Sequence, residues 1–110
     1  MALDKLEARE RQIALFERYG ALLSDHQRRL LELHLRRDWS LGEIARRQST
    51  SRSAVHDAIR RAGRALEEYE RRLGLLAQEE RRRQLRGALS SEVAGLRRRL
   101  ARLEAELAEA

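Results

Sequence analysis

The chain has 110 residues, with 24 Lys+Arg against 18 Asp+Glu, no Pro, no Cys and a formal net charge of +6. That length holds one domain's worth of core and leaves no room for a second large one. Without cysteine there can be no disulfide, thiolate metal site or cysteine nucleophile, and the apolar runs are too short to insert into a membrane.

Ala, Leu, Arg and Glu dominate, all good helix formers, so the composition predicts an all-α fold. Lys5 is the only lysine among the cations. No charged-then-apolar leader opens the chain, which makes the cytoplasm the expected location. The charge is uneven. Residues 41–65 hold six arginines against Glu43 and Asp57, a net +4, while residues 88–110 balance four cations against four anions. A local excess of positive charge is the footprint expected of a polyanion-binding surface.

In chain order, the apolar spacing of Leu3, Leu6, Ile13, Phe16 and Leu15 predicts a first helix over 3–19, stopped by Gly20. Ser24 with Gln27 forms a capping box that opens a second helix, ending near Arg37. Ser40 with Glu43 is another capping box, opening a short helix that turns its Ile44 and Ala45 inward. Gln48-Ser49-Thr50 breaks the period and reads as a turn, with Thr50 as its plug. Ser51 then caps a helix whose inner face is Val55, Ala58, Ile59 and Ala62. Leu66, Tyr69, Leu73 and Leu76 continue that face, so this helix is predicted to run to about 77. Residues 78–88 read as a helical or frayed connector. Ser90 or Ser91 caps a final helix, where Val93, Leu96, Leu100, Leu103 and Leu107 form a heptad seam over 91–110. The domains expected are therefore 1–77 and a helical extension, 78–110.

A capped short helix, a three-residue turn and a second capped helix over 40–62 make a helix-turn-helix. In motifs of this kind the start of the second helix meets base edges in the major groove. Arg52, Ser53, His56 and Arg60 are the candidate contacts there, with Arg46, Arg47, Ser51, Arg61 and Arg64 placed for phosphate. Asp57 shares this exposed face and would repel phosphate.

On these residues the chain resembles a known family. The stretches 16–23, 41–45 (Leu-Gly-Glu-Ile-Ala), 51–61 and 66–70 (Leu-Glu-Glu-Tyr-Glu) resemble the YlxM-type proteins, small bacterial helix-turn-helix proteins similar to region 4 of sigma factors. The resemblance covers 12–76 and leaves the heptad tail outside it. It implies a sigma-like helical bundle and a DNA-binding regulatory protein acting in the signal recognition particle pathway. The alternative is a non-catalytic adaptor that docks the particle or its GTPases. The turn departs from the family pattern, with Gln48 where an apolar residue and Ser49 where Gly or Asn is usual.

No enzyme is expected, since nothing resembles a nucleophile elbow or a phosphate cradle. No cofactor or metal is expected either, because no pair among His26, His34 and His56 has helical ligand spacing. The expected partners are nucleic acid, DNA before RNA, components of the signal recognition particle, and a second copy of the chain. The residues expected to carry self-association are Leu66, Tyr69, Leu73 and Leu76 together with the heptad seam.

Overall fold

The computed structural model describes residues 2–110. It contains five α-helices: α1 (Ala2–Tyr19), α2 (Asp25–Leu31), α3 (Leu41–Arg47), α4 (Arg52–Leu73) and α5 (Leu75–Glu109). A 3-10 turn, Gly20–Leu22, follows α1, and α2 widens at its end into a π turn, Glu32–Arg36. The described residues contain no strand, and none of their helices is long and apolar enough to cross a membrane. The chain divides into two units, one ending at Leu76 and the other beginning at Ala77.

Local chemistry explains the helix starts. The Ser24 hydroxyl accepts the Gln27 N–H at 3.2 Å, and the Gln27 amide oxygen accepts the Ser24 N–H at 3.3 Å. Ser40 and Glu43 repeat the arrangement at 3.1 and 3.2 Å. Each box satisfies two N–H groups that a helix start would otherwise leave unpaired. Hydrogen bonds from Ser40 also hold the Glu43 carboxyl below its ordinary range. Ser51 caps α4 alone, its hydroxyl accepting the Ala54 N–H at 3.0 Å.

The core of the first unit draws on every helix before α5. Leu15, Phe16 and Tyr19 come from α1, Leu30 and Leu31 from α2, Ile44 and Ala45 from α3, and Val55, Ile59, Ala62 and Leu66 from α4. Ile44 and Ala62 are wholly enclosed in this core. Leu3 and Leu6 are exposed, so the first turns of α1 lie outside the core despite their helical spacing. Gly20 does not end α1 through a left-handed conformation. Its role is close approach: a Cβ there would meet the buried Phe16 ring at 3.0 Å.

Polar ties lock α4 against the rest of the unit. Arg11 grips Glu67 through two 2.8 Å hydrogen bonds. The buried Tyr19 hydroxyl donates to Glu70 at 2.6 Å, and Tyr69 donates to the Leu22 carbonyl at 3.2 Å. Burial and the Glu70 carboxylate push the Tyr19 phenol above its ordinary range. Arg9 donates to the His34 and Leu35 carbonyls at the end of the π turn and pairs with Asp38.

Several expectations require correction. The helix that begins after Ser51 ends at Leu73, short of 77, because Gly74 takes a left-handed conformation (φ 62°) and its N–H closes on the Glu70 carbonyl. Residues 78–88 are helical, one of the two readings expected, but form no separate connector, and Ser90 and Ser91 cap nothing. All lie inside α5, which has no proline to interrupt it. Leu66 is 1% exposed and belongs to its own unit's core, with Tyr69 and Leu76 packed partly against it. A side chain enclosed in that way cannot also meet a second copy. Of those four residues, only Leu73 is exposed.

Candidate nucleic-acid interface

The helix-turn-helix is formed by α3, the turn after it and the first half of α4. The turn closes through backbone alone. The Gln48 N–H bonds the Ile44 carbonyl, and the Thr50 N–H bonds the Ala45 carbonyl, both at 3.0 Å. Thr50 is exposed, so its side chain does not plug the turn. Ser49 takes a left-handed conformation (φ 51°), at the position where glycine or asparagine would relieve strain.

Val55, Ile59, Ala62 and Leu66 fix the roll of α4 by facing the core. At about 100° per residue, Ser53, Asp57, Arg60 and Arg64 then cluster on the opposite, outward side. Arg52 and His56 lie on one flank of that ridge. Arg61 lies on the other, beside a shallow hollow that also takes in His26, Gln48 and Thr50. All nine candidate contact residues are exposed.

Their partners differ. Among the described residues, Arg46, Arg52, Arg60, Arg61 and Arg64 make no ion pair within the chain. Arg47 is drawn over the Trp39 ring, 5.7 Å from its centroid, a cation–π contact. It lines a half-open groove of about 480 Å³ with Arg29, Leu33, Arg37 and Trp39. Ser51 spends its hydroxyl oxygen on capping, which leaves only its O–H for a phosphate. His56 Nδ1 stands 3.8 Å from the Asp57 carboxylate. The first turn of α4 contains no acidic residue. Its amide groups and positive dipole end therefore add to the arginines, an arrangement that favours anions.

Asp57 has a second meaning in this geometry. It stands on the outward ridge, one turn before Arg60 and Arg61, and pairs with neither. A carboxylate on the reading face of such a helix can accept from the cytosine amino group. The roll of α4 keeps Asp57 on the exposed face that the helical period predicts.

The Glu-Glu-Tyr-Glu stretch proves structural. Glu67 holds Arg11, Glu68 holds Arg71 and Arg72, Tyr69 reaches Leu22, and Glu70 accepts from Tyr19 and from the Leu76 N–H at 2.9 Å. Sequence spacing gave no signal for the partners 47 to 56 residues away.

A family profile described as "Putative helix-turn-helix protein, YlxM / p13 like" matches residues 6–105. The match therefore includes most of the heptad tail, which the sequence resemblance had left outside. A UPF0122 protein of Symbiobacterium thermophilum is 42% identical over 102 residues, covering 88% of this chain and 95% of that one. A UPF0122 protein of Geobacillus kaustophilus is 49% identical over 80 residues, 73% of each chain. One from Lacticaseibacillus casei is 49% identical over 73 residues, 66% of this chain and 65% of its own. The chain belongs to the UPF0122 family of YlxM / p13-like helix-turn-helix proteins.

Proposed function

We propose that this chain is a cytoplasmic DNA-binding regulator that reads duplex DNA with the first half of α4 and performs no catalysis. The observation that carries this reading is the set of exposed arginines, Arg52, Arg60, Arg61 and Arg64, none engaged in an ion pair. DNA is favoured over RNA because a helix enters the wide major groove of B-form DNA, whereas the A-form major groove is too narrow. In this reading Arg60 and Asp57 share one G·C pair, Arg60 donating to the guanine acceptors and Asp57 accepting from the cytosine amino group. Arg46, Arg52, Arg61, Arg64 and the first amides of α4 supply phosphate contacts that set the register.

The test is a fluorescence anisotropy titration against duplex DNA across a range of salt. Each phosphate contact contributes about 0.9 to the log–log slope. An Arg52→Ala/Arg60→Ala double variant is expected to lower that slope by about 1.8 if both side chains meet phosphate, and by less if Arg60 reads a base. Asp57→Ala is expected to tighten binding to random duplex while weakening discrimination among selected sequences. A slope near zero for the native chain would refute the reading.

A second reading rests on the groove beside Trp39, where Arg29, Arg37 and Arg47 surround an apolar floor. A charged rim over an apolar floor suits a protein partner. With the resemblance to YlxM proteins, this supports an adaptor of the signal recognition particle or its GTPases. Nuclease-resistant co-purification of such a GTPase, kept in the Arg52→Ala/Arg60→Ala variant and lost in Trp39→Ala, would select this reading over the first.

A further inference from the structure

α5 carries a second surface that DNA reading does not use. None of its residues is buried. From Leu89 onward its large apolar side chains follow steps of four, three, four, three and four through Val93, Leu96, Leu100, Leu103 and Leu107. These six residues are 45–77% exposed and form one stripe along about 27 Å of helix. The continuous helix through 78–88 makes the stripe longer than a cap at Ser90 or Ser91 would allow, because Leu89 joins it.

The charges beside the stripe identify its occupant. With Val93, Leu100 and Leu107 at the a positions and Leu89, Leu96 and Leu103 at d, the flanking positions hold Glu92, Arg97, Arg99 and Glu104. Among the described residues none of these four makes an ion pair within the chain. In a parallel, in-register pair each residue before an a position faces the residue five places later on the other helix. Glu92 then meets Arg97 of a second copy, and Arg99 meets Glu104. Twofold symmetry doubles both, so every complete flanking pair has opposite signs. The antiparallel register that buries all six apolar residues sets Arg97 against Arg97, Arg99 against Arg99 and Glu92 against Glu106. The antiparallel register that keeps opposite charges together leaves Leu89 without a facing layer. Leucine at every d position and Val93 at the first a position also suit two strands.

We propose that residues 89–110 form a parallel, in-register coiled coil with the same segment of a second copy, selected by the Glu92–Arg97 and Arg99–Glu104 pairs. The pairing tethers two helix-turn-helix units to the same end of one coil, which makes DNA binding bivalent.

Sedimentation equilibrium of the full chain tests this from micromolar to millimolar concentration. The expected mass is twice that of the 12.8 kDa chain. Arg97→Glu turns two attractions into repulsions and is expected to raise the dimer dissociation constant about tenfold. Adding Glu92→Arg restores the parallel pairing and is expected to return the constant to within about threefold of native. In the antiparallel register that buries all six apolar residues, Arg97→Glu exchanges one like-charge contact for another and leaves dimerisation near native, so a loss followed by rescue marks the parallel pair. Leu96→Glu/Leu100→Glu is expected to give monomers that keep the native Trp39 emission, showing that the first unit remains folded. A monomeric native chain at every concentration, an Arg97→Glu variant that dimerises like the native chain, or a failed rescue would each overturn the proposal.

Discussion

The two halves of α4 use arginine in opposite ways. Between Arg52 and Arg64 the helix carries four arginines and one carboxylate, and no arginine is paired. Between Leu66 and Leu73 it carries two arginines and three glutamates, and both arginines bond Glu68, at 2.6 to 2.9 Å. Glu67 and Glu70 reach back to α1 through Arg11 and Tyr19. One half is left open to an external polyanion while the other neutralises itself and braces the fold. The same residue type is thus left unpaired or made a structural tie: Arg60 and Arg61 stand one turn after Asp57 without closing on it, whereas Arg71 and Arg72 close on Glu68.

The contrast can be broken at the point where the halves meet. Leu66 there is fully enclosed in the core of the first unit, and Leu66→Ala is expected to cost about 3 kcal/mol of stability. Urea denaturation followed by circular dichroism measures it. Loss of the contact should loosen both halves together, lowering stability and DNA affinity in one variant.

A smaller change should sharpen the reading half. Ser49 sits in the left-handed region, in the turn between α3 and α4. Ser49→Gly removes the steric cost of that conformation but adds backbone entropy to the unfolded chain, leaving a net gain of about 0.5–1 kcal/mol. Thermal denaturation should show a higher midpoint, with an unchanged salt slope for DNA binding because no arginine moves.

The smallest effect belongs to the bracing half. The bonds from Arg71 and Arg72 hold the Glu68 carboxyl at about 2, below its usual 4.5. Its folded-state pKa is depressed, so its contribution is fully present above the unfolded value and is lost as pH falls from 4.5 through 2. All three side chains are substantially exposed, so the change is slight. Glu68→Gln should flatten the fall in helicity between pH 5 and 2, with neutral-pH binding unchanged.

Sequence disclosed the parts of this arrangement governed by neighbours. The pairs Ser24–Gln27 and Ser40–Glu43 are three residues apart, and their capping geometry follows from that spacing. The inward set Val55, Ile59, Ala62 and Leu66 was legible because a helical period alone defines it. Features decided at longer range were hidden. Leu3 and Leu6 have the period of a buried face, but nothing packs over that end of α1. Leu73 and Leu76 keep the period across Gly74, which concealed the end of α4.

The start of α5 has a consequence for folding order. Its first amide, Leu75 N–H, is capped by the Tyr19 hydroxyl at 3.1 Å, and the next, Leu76 N–H, by the Glu70 carboxylate that the same hydroxyl contacts. These caps come from 56 and six residues earlier in the chain, not from a local serine. Initiation at that site is conditional on tertiary structure, because the hydroxyl reaches position only after α1 has docked against α4. The two amides should therefore exchange their hydrogens only when the whole first unit opens, making them reporters of global cooperativity at a place where helices ordinarily fray.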